Sequence, residues 1–69
     1  MPLTLAGAGT ENTVRQIKGK DEVRRFLESL GFVEGGKVTV ISQSGGNLIV
    51  NVKDTRVAIS SSMANRILI

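Results

Sequence analysis

Two hydrophobic periodicities divide the chain. Val23, Phe26, Leu27 and Leu30 fall at i, i+3, i+4 and i+7, which puts all four on one face of a helix over about 21–30. Asp21 stands where its carboxylate can cap the free amides of the first turn. Gly31 can take the left-handed conformation that stops a helix, and Phe32 can then fold back onto Leu27.

Beyond Gly35-Gly36 the period changes to two. Val38 and Val40, Val50 and Val52, and Val57 and Ile59 alternate with polar positions, the pattern of strands with one buried face. With Ser44-Gly45-Gly46 as a three-residue hairpin loop, Val40 faces Val50 and Val38 faces Val52. With Asp54-Thr55 as a two-residue turn, Val52 faces Val57 and Val50 faces Ile59; a four-residue loop there keeps the same parity. Both registers bring the same valines to one face, which predicts a three-stranded meander.

The flanks complete the order of elements. Residues 1–11 read as an extended lead-in ending in a turn, and Asn12 to Ile17 as a first strand. Val14 and Ile17 are three apart, so that strand needs a bulge or an edge position. Ser60 to Asn65 suits a capped helical turn at about 61–65, and Arg66 to Ile69 a closing strand. A chain of 69 residues holds one domain, 1–69, and hides its strand edges only by curling. The expectation is a mainly β fold, a small five-stranded barrel with the helix plugging one open end. Its predicted core is Val23, Phe26, Leu27, Leu30, Phe32, Val38, Val40, Val50, Val52, Val57 and Ile59.

Composition narrows the chemistry sharply. There is no Cys, His, Trp or Tyr, so disulfides and thiolate or imidazole metal sites are excluded. The usual proton handlers and nucleophiles are missing, and Glu11, Asp21, Glu22, Glu28, Glu34 and Asp54 are scattered, so no catalytic residue is expected. The carboxylates form no oxygen-ligand cluster, which leaves no cofactor and no metal site. Gly35-Gly36 and Gly45-Gly46 each precede a strand rather than a helix, so they read as turns, not phosphate cradles.

Net charge is +3, and the pI near 10.0 follows mainly from the absence of groups titrating near neutrality. No apolar run approaches the ~20 residues that cross a bilayer. The opening Met-Pro-Leu-Thr-Leu-Ala lacks the basic stretch of an export signal, so a cytoplasmic location without membrane insertion is expected.

Two features invite a partner. Lys18, Lys20, Arg24 and Arg25 form a basic ridge at the start of the helix, although Asp21, Glu22 and Glu28 interrupt it. Single-stranded nucleic acid normally needs exposed aromatics as well, and both phenylalanines are already assigned to packing, so none is expected as a ligand. The second feature is the pair Ile41 and Ile49, opposite each other on the face away from the valines. Either the Leu3-Leu5 segment or a terminal strand covers this pair, or it docks another protein.

The combination of Arg25, Leu27, Leu30, Gly31, Phe32, Gly35 and Val38 resembles the helix-to-strand signature of the ferrous-iron transport protein A (FeoA-like) family. Gly45-Gly46, Val50, Val52, Arg56, Ala58, Ile59, Ala64, Ile67 and Ile69 extend the resemblance over nearly the whole chain. The chain departs from the family at Glu34, where proline is frequent, and at Ser60, where a basic residue is common. The resemblance implies an SH3-like barrel and a non-enzymatic accessory role in bacterial ferrous iron uptake. It implies as partner the cytoplasmic side of the membrane GTPase and permease, ferrous-iron transport protein B; self-association stays open. Alternatives are a small nucleic-acid-binding barrel, or a metal-sensing domain like the C-terminal domain of iron-dependent repressors.

Overall fold

A computed structural model describes all 69 residues. The strands are β1 (Glu11–Thr13), β2 (Gln16–Ile17), β3 (Lys37–Ser44), β4 (Asn47–Val52), β5 (Thr55–Ser60) and β6 (Ile67–Leu68), with helices α1 (Asp21–Leu30) and α2 (Ser61–Ala64). One antiparallel sheet has the order β1-β3-β4-β5, and a second pairs β2 with β6. The predicted first strand is thus one bent segment shared by two sheets. At the bend Val14 turns inward, its backbone held by Gly35 and Gly36 at 2.7 and 2.8 Å, which accounts for its odd spacing to Ile17. Counting β1 and β2 as one strand gives the expected five-stranded, SH3-like barrel.

The valine registers hold between β3 and β4: Val38 pairs with Val52 and Val40 with Val50. The route differs from the expected one. The loop is the two-residue turn Gly45-Gly46, both with positive φ (56° and 81°), and Ser44 pairs with Asn47. A bulge between Val40 and Ser42 absorbs the odd residue, so Ile49 stands opposite Ser42 rather than opposite Ile41. The next turn begins one residue earlier than expected. Lys53-Asp54 makes it, with φ of 50° and 60°, so Val50 pairs with Val57 and Leu48 with Ile59. Parity is kept, and the same face is buried.

Gly31 closes α1 as expected, at φ 110°, with its amide bonded to Glu28 and the Phe32 amide returning to the Leu27 carbonyl at 3.1 Å. The start differs. Lys20 is the capping residue and makes no side-chain bond, while Asp21 is already helical and meets only the helix dipole. Ser60 does cap α2, accepting from the Met63 amide at 3.3 Å, and α2 ends at Ala64.

The core gathers Leu27, Phe32, Val38, Val40, Val50, Val52 and Ile59 as expected, with Val23, Leu30 and Val57 packed at its margin. Phe26 is the exception: it is 51% exposed, because the barrel covers the helix stripe on the Leu27 side only. Leu3, Ala6, Val14, Ile17, Leu48, Ala64 and Ile67 complete the interior. Leu3 enters it from a short 3-10 turn (Leu3–Leu5), not from an extended lead-in, beside a bridge between Pro2 and Leu68.

Candidate functional site

The interior offers no chemistry. Every buried residue is apolar, and no group of three or more Asp or Glu side chains converges anywhere. Ferrous iron wants imidazole or gathered carboxylates, and this donor set does not fit it. What remains is surface.

The basic candidates fall into two groups. Arg24 and Arg25 share a shallow depression on the outer face of α1 with Asp21 and Glu28, at spacings of i, i+3, i+4 and i+7. That face is therefore mixed in sign rather than a basic ridge. Lys18 and Lys20 lie in the loop before α1, and the structure joins them to a residue outside the predicted site. Arg66, reached from the far end of the chain, lies across Gly19. A methyl group on Gly19 would come within 3.1 Å of Arg66 Nη1 and 3.5 Å of its Cδ. The Lys18 amide donates to the Arg66 carbonyl at 2.7 Å, which fixes the two segments together. Gly19 has φ 129°, so it suits this position both in backbone conformation and in leaving the guanidinium its bed. Lys18, Lys20 and Arg66 are all exposed. Only the topology reveals this cluster; the lone signal in the sequence is the glycine between two lysines.

The apolar candidates lie on the outer face of the larger sheet. Ile41 occupies the bulge and is 38% exposed, while Ile49 is half-buried. The Leu3-Leu5 segment splits its duties: Leu3 is buried, Leu5 is 66% exposed, and the Thr4 carbonyl accepts from Gln43 Nε2 at 3.1 Å. Ile49 also pairs across the sheet with Ala58 of β5, so Ser42, Ile49 and Ala58 form one row across this face, with Ile41 next to Ser42 in the bulge.

Below that row the same face turns polar. Glu11, Lys37, Thr39, Asn51, Lys53 and Asp54 line an open groove, and Lys37 Nζ donates to Thr13 Oγ1 at 2.7 Å. The groove mixes both signs and contains no buried polar group. As for the aromatics, Phe32 is fully buried whereas Phe26 is available at the surface. No helix is long and apolar enough to cross a membrane.

The sequence profile of the FeoA domain matches residues 1–69. A Methanocaldococcus jannaschii protein, provisionally assigned as Fe(2+) transport protein A, is 31% identical over 68 residues, covering 99% of this chain and 83% of that one. The crystal structure of an iron uptake regulatory protein (FeoA) is 33% identical and superposes with a TM-score of 0.87, over 96% of this chain and 88% of the other. FeoA of Stenotrophomonas maltophilia, solved with zinc and described as a prokaryotic SH3-domain protein, is 31% identical with a TM-score of 0.85, over 99% and 87% of the two chains. With a match along its whole length and the same barrel, the chain belongs to the FeoA family.

Proposed function

We propose that this chain is a non-enzymatic, cytoplasmic accessory protein of ferrous iron uptake that binds and modulates the membrane GTPase and permease, ferrous-iron transport protein B. Membership of the FeoA family over all 69 residues carries this reading. The absence of His, Cys and Tyr, together with an interior free of polar side chains, supports a protein that acts by contact rather than by catalysis.

The contact surface is assigned to the exposed cluster Lys18, Lys20 and Arg66, flanked by Arg24 and Arg25 on α1, together with the outward isoleucines Ile41 and Ile49. Fixed cations raise the encounter rate with an acidic partner surface and set its orientation. Apolar side chains that leave water on docking supply the affinity. The test is co-purification of the full chain with the cytoplasmic part of the transporter. The double variant Ile41→Ser/Ile49→Ser and the triple variant Lys18→Glu/Lys20→Glu/Arg66→Glu should each weaken it.

One observation supports a second reading. Phe26 is exposed on the helix that carries Arg24 and Arg25, and a base can stack on an exposed ring beside cations. Asp21 and Glu28 on the same helix oppose a phosphate backbone. Salt-sensitive retention on immobilised single-stranded oligonucleotide, lost in Phe26→Ala, is the result that favours this reading.

A further inference from the structure

The larger sheet ends at β5, and its free edge is long and regular, with Arg56 as its one charged residue. β1, at the opposite edge, has three residues and then bends away into the second sheet. β5 has six, all in unbroken register with β4, with no bulge and no proline. Natural sheets usually shorten, kink or charge such an edge. Here the side chains that flank it on the outer face are Arg56, Ala58 and Ser60.

The turn fixes which backbone groups are free. A two-residue turn at Lys53-Asp54 makes Val52 and Thr55 a hydrogen-bonded pair. Thr55, Val57 and Ile59 therefore direct their amides and carbonyls at β4, while Arg56 and Ala58 direct theirs outward. None of the backbone hydrogen bonds made outside the helices and strands involves Arg56 or Ala58, and both residues are exposed.

We propose that two copies of this chain pair antiparallel through their β5 edges, with Ala58 opposite Ala58 on the two-fold axis. The edge is complementary to itself in this register, with no like charges opposed. Centred on Ala58, it exchanges backbone hydrogen bonds between the two Ala58 residues at the axis and places Arg56 opposite Ser60 of the second copy. Centred on Arg56, it would oppose two guanidinium groups directly, which is repulsive. The outer face supplies the second match. The row Ser42–Ile49–Ala58 runs out at β5, and the two-fold axis joins it to the same row of the second copy. In the joined sheets Ile49 and Ala58 of each copy stand in one apolar run across the axis. This pairing does not depend on the transporter partner, and its outcome is read on the isolated chain.

Sedimentation equilibrium of the full chain over a range of concentrations should show monomer and dimer. The variant Ala58→Lys, which sets two ammonium groups against each other at the axis, should abolish the dimer, with circular dichroism confirming the fold. Hydrogen exchange on the unaltered protein gives a second readout. The Arg56 and Ala58 amides should exchange freely when dilute and become protected as concentration rises. A monomer at every concentration, a dimer that survives Ala58→Lys, or exchange at Arg56 and Ala58 that ignores concentration would overturn the proposal.

Discussion

The Phe32 amide donates to the Leu27 carbonyl at 3.1 Å, and the side chains of both residues are fully buried in one core. A single cap thus does two jobs: it ends α1 and fastens the helix to the barrel. The enabling residue is Gly31, at φ 110°, with both Val52 methyls 3.6 Å from where a Cβ would stand.

Truncation at this point should be severe. Phe32→Ala is expected to cost about 3–5 kcal/mol. A single core in a chain this small supplies no more than about that much net stability. The variant should therefore show no cooperative urea transition. Gly31→Ala, which forces a side chain into the left-handed region, should cost about 1–2 kcal/mol and lower the urea midpoint while keeping the transition.

The turn between β4 and β5 should respond in the opposite direction. Lys53 and Asp54 both sit at positive φ, where Asn-Gly is the preferred pair. Replacing them with Asn-Gly should stabilise the fold by roughly 1 kcal/mol, seen as a higher urea midpoint at unchanged slope. A lower midpoint would mean that the charged tip makes contacts that offset its backbone strain.

Ser60 is a third point of leverage. Its hydroxyl accepts from the Met63 amide at 3.3 Å and starts the turn that brings Ala64 and Ile67 into the core. Ser60→Ala should cost about 0.5–2 kcal/mol and Ser60→Asp should recover most of it. Thermal denaturation of the three proteins checks the order.

The strands and α1 were legible because alternation and helical spacing are local properties. Val38, Val40, Val50 and Val52 report their face from period alone, and parity protects that reading against an error of turn position. The Lys53-Asp54 turn shows the limit. Two non-glycine residues in the left-handed region carry no signal in the sequence, so the pairing partners moved while the face stayed. Phe26 failed for a different reason: a helical stripe gives a direction, but the width of the surface it meets belongs to the barrel. Leu3 was missed because its burial depends on a 3-10 turn, which has no period, whereas Leu48 continues the alternation of Val50 and Val52 and was legible. At the site, Lys18 and Lys20 were visible as charges, whereas Arg66 joins them only once β6 pairs with β2. The Ile41/Ile49 face was readable, but the bulge that offsets the two side chains was not.

The basic cluster should matter for contact and hardly at all for folding. Lys18, Lys20 and Arg66 are exposed, so reversing their charges should shift stability by no more than about 0.5 kcal/mol per site. The same changes should slow association with the partner and flatten its dependence on salt, as steering charges do. Stopped-flow association at several ionic strengths separates the two effects. An unchanged association rate would remove the cluster from the contact surface.

The most direct measurement is calorimetric titration of the intact chain into the purified cytoplasmic part of ferrous-iron transport protein B. The account predicts saturable binding that weakens in Ile41→Ser/Ile49→Ser and in the Lys18/Lys20/Arg66 charge reversal, while both variants keep their fold. No heat and no complex with the unaltered protein, or binding indifferent to both sets of substitutions, would contradict it.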